Sequence, residues 1–141
     1  MRYEVPITVP ANTAEATAQK TTVKITPGIL RRVSVYFPPG CAGNVKLKIF
    51  YQEWQLGPVN RDGYLVGDGG SVEWEEFIPL EAEPLELNIL SWNEDSAYEH
   101  SVSVGFVVLP RHAVLPEEAL VEALSEFQQQ LEQLFWGPPP T

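Results

Sequence analysis

The residue best suited to nucleophilic chemistry is Cys41, the only cysteine in this chain of 141 residues. A cysteine nucleophile needs a base that removes the thiol proton, and the chain offers only His100 and His112. Neither histidine belongs to a motif that links it to the cysteine, and the G-x-S-x-G elbow of serine hydrolases does not occur. Because Cys41 stands among turn-forming residues in FPPGCAG, we interpret it as a small residue in a tight turn. The sequence therefore predicts that the protein is not an enzyme.

Cysteine and histidine, the usual ligands of zinc, are few in this chain. One cysteine and two separated histidines do not supply the four ligands of a zinc site. Calcium prefers oxygen ligands, and Asp62 and Asp68 in VNRDGYLVGDGG are weak candidates for a calcium site. The spacing of an EF-hand fails here, since it would place Pro58 at the first ligand position and Gly69 at the twelfth. The sequence predicts no cofactor, with calcium at the two aspartates as a minor alternative.

The charge of the chain argues against nucleic acid as a partner. The formal net charge is −10, with nine Lys plus Arg against nineteen Asp plus Glu, and such a surface repels phosphate backbones. The nearest approach to a basic patch includes Lys46 and Lys48, which alternate with apolar residues as on the solvent side of a strand. Glu73 and Glu75 alternate in the same way, so a solvated face explains them more simply than a carboxylate pair for glycoside hydrolysis.

Four aromatic residues stand in or beside predicted loops, and together they form a possible ligand platform: Trp54, Tyr64, Trp92 and Tyr98. Flat aromatic rings at the rim of a β-sandwich can hold sugar rings or other proteins. Large aromatics also dominate core burial, so closing the ends of the core is the simpler interpretation. The platform supports an alternative function as a carbohydrate- or receptor-binding module that could depend on calcium.

The elements that must position these residues are predicted by period-two alternation of apolar and polar residues. It occurs in YEVPITV, TVKIT, ILRRVSVYF, NVKLKIFY, SVEWEEFI, LELNILSW and HSVSVGFVVL, and we predict a further short strand near GYLV. Proline, glycine and Asn/Asp turn signals separate these runs. About eight short strands punctuated in this way predict a mainly β fold, an antiparallel β-sandwich of jelly-roll type.

The period changes to that of a helix after Pro110. The segment LPEEALVEALSEFQQQLEQLFWGPPPT begins with a proline and two glutamates and ends with glycine before three prolines, which predicts one C-terminal α-helix of about twenty residues. Apolar residues recur at the 4-3-4-3 spacing of a coiled-coil seam. The residues predicted to bind a partner are Leu120, Leu124, Phe127, Leu131, Leu134, Phe135 and Trp136. The seam covers only about two heptads, so packing on the protein's own sandwich remains open beside self-association.

These patterns divide the chain into a β-sandwich domain over residues 1–110 and a linker, amphipathic helix and proline-rich tail over residues 111–141. The N-terminal segment MRYEVPITVP lacks the apolar core of a signal peptide. No apolar run approaches the roughly 18 residues of a membrane span. We therefore expect synthesis in a cytoplasm and no membrane partner.

Three segments resemble small β-sandwich proteins encoded among the structural genes of tailed bacteriophages. They are the turn FPPGCAG, the loop from Trp54 to Gly63, and the loop WNEDSAYEH from Trp92 to His100. The likeness spans roughly residues 1–110 and does not include the C-terminal helix.

The resemblance implies a virion structural protein, such as a capsid decoration or other accessory protein, that acts by binding other proteins. The expected partners are other copies of the chain, with a homotrimer favoured, and a capsid or tail protein. The expected location is the virion. High glutamate content and thirteen prolines also suit a thermostable protein.

Overall fold

The computed structural model describes residues 1–110 and 124–132. The first range contains eight strands, whose bounds are β1 Arg2–Val9, β2 Gln19–Lys24, β3 Gly28–Phe37, β4 Val45–Tyr51, β5 Trp54–Gly57, β6 Gly70–Leu80, β7 Glu86–Asn93 and β8 His100–Leu109. A short 3-10 helix, Glu15–Thr17, lies between β1 and β2. The second range is an α-helix, α1. The predicted mainly β fold with one C-terminal helix is confirmed.

The strands form two four-stranded antiparallel sheets. One sheet has the order β1-β8-β3-β6 and the other the order β2-β7-β4-β5. Successive strands therefore cross repeatedly from one sheet to the other, which is the strand order of a jelly roll built from two Greek keys. The predicted jelly-roll type of sandwich is confirmed.

The core lies between the two sheets, and strand alternation determines which side chains enter it. On β3, Val33, Val35 and Phe37 are fully buried, whereas Arg32 and Tyr36 are exposed. The facing sheet contributes buried residues from β4 and β7, which include Leu47, Ile49, Leu87 and Ile89. These residues alternate with outward-facing positions because successive side chains of a strand point to opposite faces.

The short strand predicted near GYLV is wrong in its position. Leu65 in that segment forms only an isolated bridge with Leu47, whereas β5 forms earlier, by a tight hairpin from β4. The side chain of Gln55 explains the difference, since its amide donates hydrogen bonds to the carbonyls of Pro58 at 2.6 Å and Asn60 at 2.9 Å. Those bonds hold the following loop in a turn, where its backbone cannot continue a ladder.

By its contacts the chain divides into two units, Met1–Leu109 and Pro110–Thr141. Residues 124–132 of the second unit are helical, within the helix that the sequence predicts. Among the described residues, no helix combines the length and the apolar character that a membrane crossing requires.

Candidate functional site

The turn that contains Cys41 is closed by backbone hydrogen bonds, and within it Cys41 is buried while Pro39, Gly40 and Ala42 are exposed. The amide of Cys41 donates to Pro38 O at 3.4 Å, and the amide of Asn44 donates to Cys41 O at 2.8 Å. Gly40 has a φ of 100°, which glycine adopts readily, and its amide donates to the Asp68 carboxylate at 2.9 Å. Cys41 is 0% exposed. Burial, reinforced by the charge of Asp68, raises the pKa of the thiol, so Cys41 has the surroundings of an inert packing residue.

We predict that native protein reacts with a thiol reagent such as dithionitrobenzoate at least about 100-fold more slowly than urea-unfolded protein. The reaction requires an opening of the core, because the thiol is buried and protonated. Absorbance at pH 8 follows the release of thionitrobenzoate, and Cys41→Ala provides the blank. Equal rates for native and unfolded protein would show that the turn is open and contradict the structural role.

The four aromatics predicted as a possible platform do not share one surface. Trp92 is only 2% exposed, whereas Trp54 is 52% exposed and Tyr98 is 71% exposed. Trp54 pairs with Tyr51 at the last residue of β4, and the loop that carries Tyr98 follows the strand end that pairs with the first residue of β4. A seven-residue strand is about 20 Å long, so the two exposed rings lie at opposite ends of the sheet.

Trp92 is buried on the outer face of the β2-β7-β4-β5 sheet and does not belong to the cluster between the sheets. The ring of Tyr64 meets it edge-on, with centroids 6.0 Å apart and an interplanar angle of 78°. The Nζ atom of Lys48 lies 6.0 Å from the Trp92 ring, and that of Lys46 lies 4.7 Å from the Tyr64 ring. Two aromatic rings and two lysines therefore form a second, smaller cluster outside the core.

Lys48 fastens two loops over this outer face. Its Nζ atom donates to the Glu15 carboxylate at 2.7 Å and to Arg61 O at 2.8 Å, and the residue is only 8% exposed. The neighbouring Lys46 donates to Glu94 at 2.6 Å, and this hydrogen bond raises the pKa of Lys46. The expectation that both lysines face water is therefore wrong for Lys48. The sequence indicates the outward face but not the loops that cover it.

The loop from Trp92 to His100 is organised by the buried amide of Asn93. Its Nδ2 atom donates to Tyr98 O at 2.9 Å and to Val9 O at 3.4 Å, while its Oδ1 atom accepts from the amide of Asp95 at 3.0 Å. The backbone amide of Asn93 donates to Thr13 Oγ1 at 2.7 Å. One side chain thus holds its own loop and the end of β1.

His100 pairs with Asp95 in the same loop. Its Nε2 atom lies 2.9 Å from the Asp95 carboxylate, which also accepts a hydrogen bond from the amide of Ala97 at 2.9 Å. The bond from Ala97, followed by that from His100, lowers the pKa of the Asp95 carboxyl. The side chain of His100 thus contacts a carboxylate that also holds the loop backbone. His112, the other histidine, lies outside the described residues.

The two calcium candidates have ordinary places in turns. Asp68 accepts the hydrogen bond from the amide of Gly40, and Asp62 is exposed in the turn after β5. Within residues 1–110 and 124–132, no three His, Cys, Asp or Glu side chains are grouped so that they could hold a metal ion.

The structure describes the middle part of the predicted apolar seam, within residues 124–132. Leu124, Phe127 and Leu131 recur at intervals of three and four residues and so share one side of α1. Leu124 and Phe127 are each 58% exposed. The other predicted partner-binding residues, Leu120, Leu134, Phe135 and Trp136, lie outside the described residues.

Comparison with known proteins gives no relative: no family model, curated protein or solved structure matches this chain. The positioning roles of Gln55, Lys48 and Asn93 were not predicted from the sequence. Lys48 lies within a predicted strand and Asn93 directly follows one, so polarity at a strand position was the available signal for these two, whereas Gln55 lies in a predicted loop and gave no such signal.

Proposed function

We propose that this chain is a virion structural protein of a tailed bacteriophage, a capsid decoration or other accessory protein that acts by protein–protein binding. The observation that carries the proposal is the apolar side of α1, where Leu124 and Phe127 are each 58% exposed. The jelly-roll sandwich also supports it, since viral capsid domains use this architecture. The three segments that resemble phage structural proteins all lie in the sandwich.

The exposed side of α1 suits association between copies of the chain. Transfer of a leucine or phenylalanine side chain out of water contributes about 1.5–3 kcal/mol. Apolar residues at 4-3 spacing recur on one side of the helix, so each turn adds a side chain that gains this free energy when a partner covers that side. We therefore propose that α1 helices from three copies pack together and hold three sandwiches on one capsid or tail surface. Many copies bound in this way stabilise the shell by mass action.

The surroundings of Cys41 and His100 agree with a binding role. The thiol is buried and its pKa is raised, and the histidine is paired with Asp95. The strongest nucleophile of the chain is therefore held as part of the core. We propose on these grounds that the protein does not act as an enzyme.

Deletion of residues 116–141 tests the proposal. We expect the sandwich to stay folded, with the β-type features of its circular dichroism spectrum retained, and light scattering to show one chain per particle where the full chain shows three. An unchanged number of chains per particle after the deletion would contradict a role of the helix in assembly.

A charge-matched pair of variants separates the seam from the rest of the helix. Leu124→Glu with Phe127→Glu places two carboxylates on the apolar side, whereas Ser125→Glu with Gln129→Glu places two on other sides of the same helix. We expect the first pair to give monomers and the second to leave the oligomer intact. Equal behaviour of the two pairs would contradict the seam. A gene for this chain beside capsid, portal or tail genes would support the virion setting.

A further inference from the structure

The two sheets differ in what covers their outer faces. Loops cover Trp92 on the β2-β7-β4-β5 sheet, whereas the outer face of the β1-β8-β3-β6 sheet carries an open trough. The trough consists of two adjoining depressions of about 230 Å³ and 140 Å³, which share Arg2, Ser34, Glu73 and Gly105. All four strands of this sheet contribute to its lining, so the trough crosses a rigid hydrogen-bonded surface.

The floor of the trough is low because its central residues are small. Gly105 stands between Glu4 and Ser34 in register, and a Cβ atom at this position would lie 2.7 Å from Ser34 Oγ. Ser71 and Ser103 flank the floor on β6 and β8. Within residues 1–110, no other residue forms a hydrogen bond with the hydroxyl of any of these three serines. The floor therefore presents three hydroxyl groups that can each donate and accept.

The walls of the trough carry balanced charge. Arg2 pairs with Glu4 at 2.9 Å on one side, and Arg32 pairs with Glu73 at 3.2 Å on the other. Two cations and two anions give a local formal charge of zero, in a protein whose formal net charge is −10. A phosphate or another anion would find no excess of cations here. The paired carboxylate and guanidinium groups still offer acceptors and donors to a neutral ligand.

One aromatic ring stands beside the hydroxyls. Tyr36 is 44% exposed and lines the larger depression. It is in register with Ser71 on one side and with Ser103 on the other. The ring thus offers an apolar surface next to groups that bind hydroxyls. Sugars need this combination, because a pyranose ring has an apolar C–H face and a rim of hydroxyls that both donate and accept.

We propose that this trough is a binding site for a neutral saccharide. The sugar packs its C–H face on Tyr36 and directs hydroxyls to the floor serines and to the carboxylates of Glu4 and Glu73. The trough is open at its surface and extends across four strands, which suits a segment of an oligosaccharide chain. The site shares none of the four aromatics predicted from the sequence. It also does not depend on the proposed virion role, which rests on α1.

The test is a titration of the ¹⁵N-labelled full chain with neutral glucan, mannan, galactan and xylan oligomers, followed by NMR. Each oligomer is added to about 10 mM, where even a millimolar site is mostly occupied. We expect at least one oligomer to shift the amide signals of residues 34–36, 71–73 and 103–105. The absence of shifts with all four oligomers, or shifts confined to other residues, would overturn the proposal. Binding of an acidic oligosaccharide alone would overturn it as well.

Three variants then place the ligand. Tyr36→Ala and Ser34→Ala are expected to weaken binding, the first by about tenfold because it removes the stacking surface. Thr8→Val is the control, since Thr8 is exposed on the same face but lies outside the trough and bonds with Ser101. Each variant is first checked for an unchanged pattern of backbone amide signals. Equal affinity of Tyr36→Ala, Ser34→Ala and the parent chain would overturn the assignment even if a sugar binds.

Discussion

Replacement of Trp92 by alanine is expected to lower the free energy of unfolding by about 3–5 kcal/mol. The side chain is 2% exposed although it lies on the outer face of a sheet. Its removal leaves a cavity beneath the loops that Lys48 holds through Glu15 and Arg61. Urea denaturation, followed by tryptophan fluorescence and circular dichroism, measures the change.

The matched control is Trp54→Ala, which removes the same number of atoms from a ring that is 52% exposed. We expect this variant to lose no more than about 1 kcal/mol, as is usual for surface positions. Hydrogen exchange adds a local readout, because residues 58–66 should lose protection in Trp92→Ala and keep it in the control. Similar losses of stability in the two variants would mean that Trp92 is not packed as the structure has it.

Replacement of Asn93 by alanine is expected to cost about 2–4 kcal/mol. The variant leaves Val9 O, Tyr98 O and the amide of Asp95 without the partner that the Asn93 side chain supplies. Buried polar groups that lose a partner carry their full desolvation penalty. The same denaturation experiment measures the loss, and hydrogen exchange should show faster opening of residues 94–99.

Asn88→Ala serves as the control for this second prediction. Asn88 lies in the same strand, but its side chain accepts one hydrogen bond, from Thr22 at 2.8 Å, in an exposed place. We expect a cost of no more than about 1 kcal/mol. If Asn88→Ala were as costly as Asn93→Ala, the loss would reflect the strand and not the loop network.

The sequence predicted the two-sheet fold well because alternation is a direct consequence of strand geometry. In β3 it separates Val33 and Val35 from Arg32 and Tyr36, and the structure places them on opposite faces in the same way. Eight runs with turn signals between them favour a jelly roll, and the observed strand order is that of a jelly roll. The prediction succeeded because, apart from β5, local patterns and global fold agree over residues 1–110.

Alternation says which side chains share a face, but it does not say what covers that face. Trp92 and Leu90 both have outward parity on β7, and bulky apolar residues in that position were a signal that loops cover the sheet. The placement of β5 failed for a related reason. It depends on hydrogen bonds from the Gln55 side chain to carbonyls three and five residues later. The alternation of apolar and polar residues does not predict such contacts.

The candidate sites were harder to predict than the fold. The aromatic platform assumed that rings near loops meet at one end, whereas the hairpin between β4 and β5 places Trp54 far from Tyr98. The trough could not be predicted from the sequence. Ser34, Ser71 and Gly105 come from three strands, and local sequence patterns do not determine the order of those strands in the sheet. A glycine and serines on outward positions indicate a low surface only after the sheet is assembled.

The edge strand β6 affects how copies of the protein behave when they are close together. It is eleven residues long, and among the strands of residues 1–110 it pairs only with β3, so none of these strands covers the other side of its backbone. An edge strand with unpaired backbone groups can pair with the edge strand of another copy, which leads to aggregation. Here Glu73, Glu75 and Glu76 would bring like charges together if two β6 strands met, and Pro79 has no N–H to give. Copies of the protein packed at high density would therefore not join their sheets through β6.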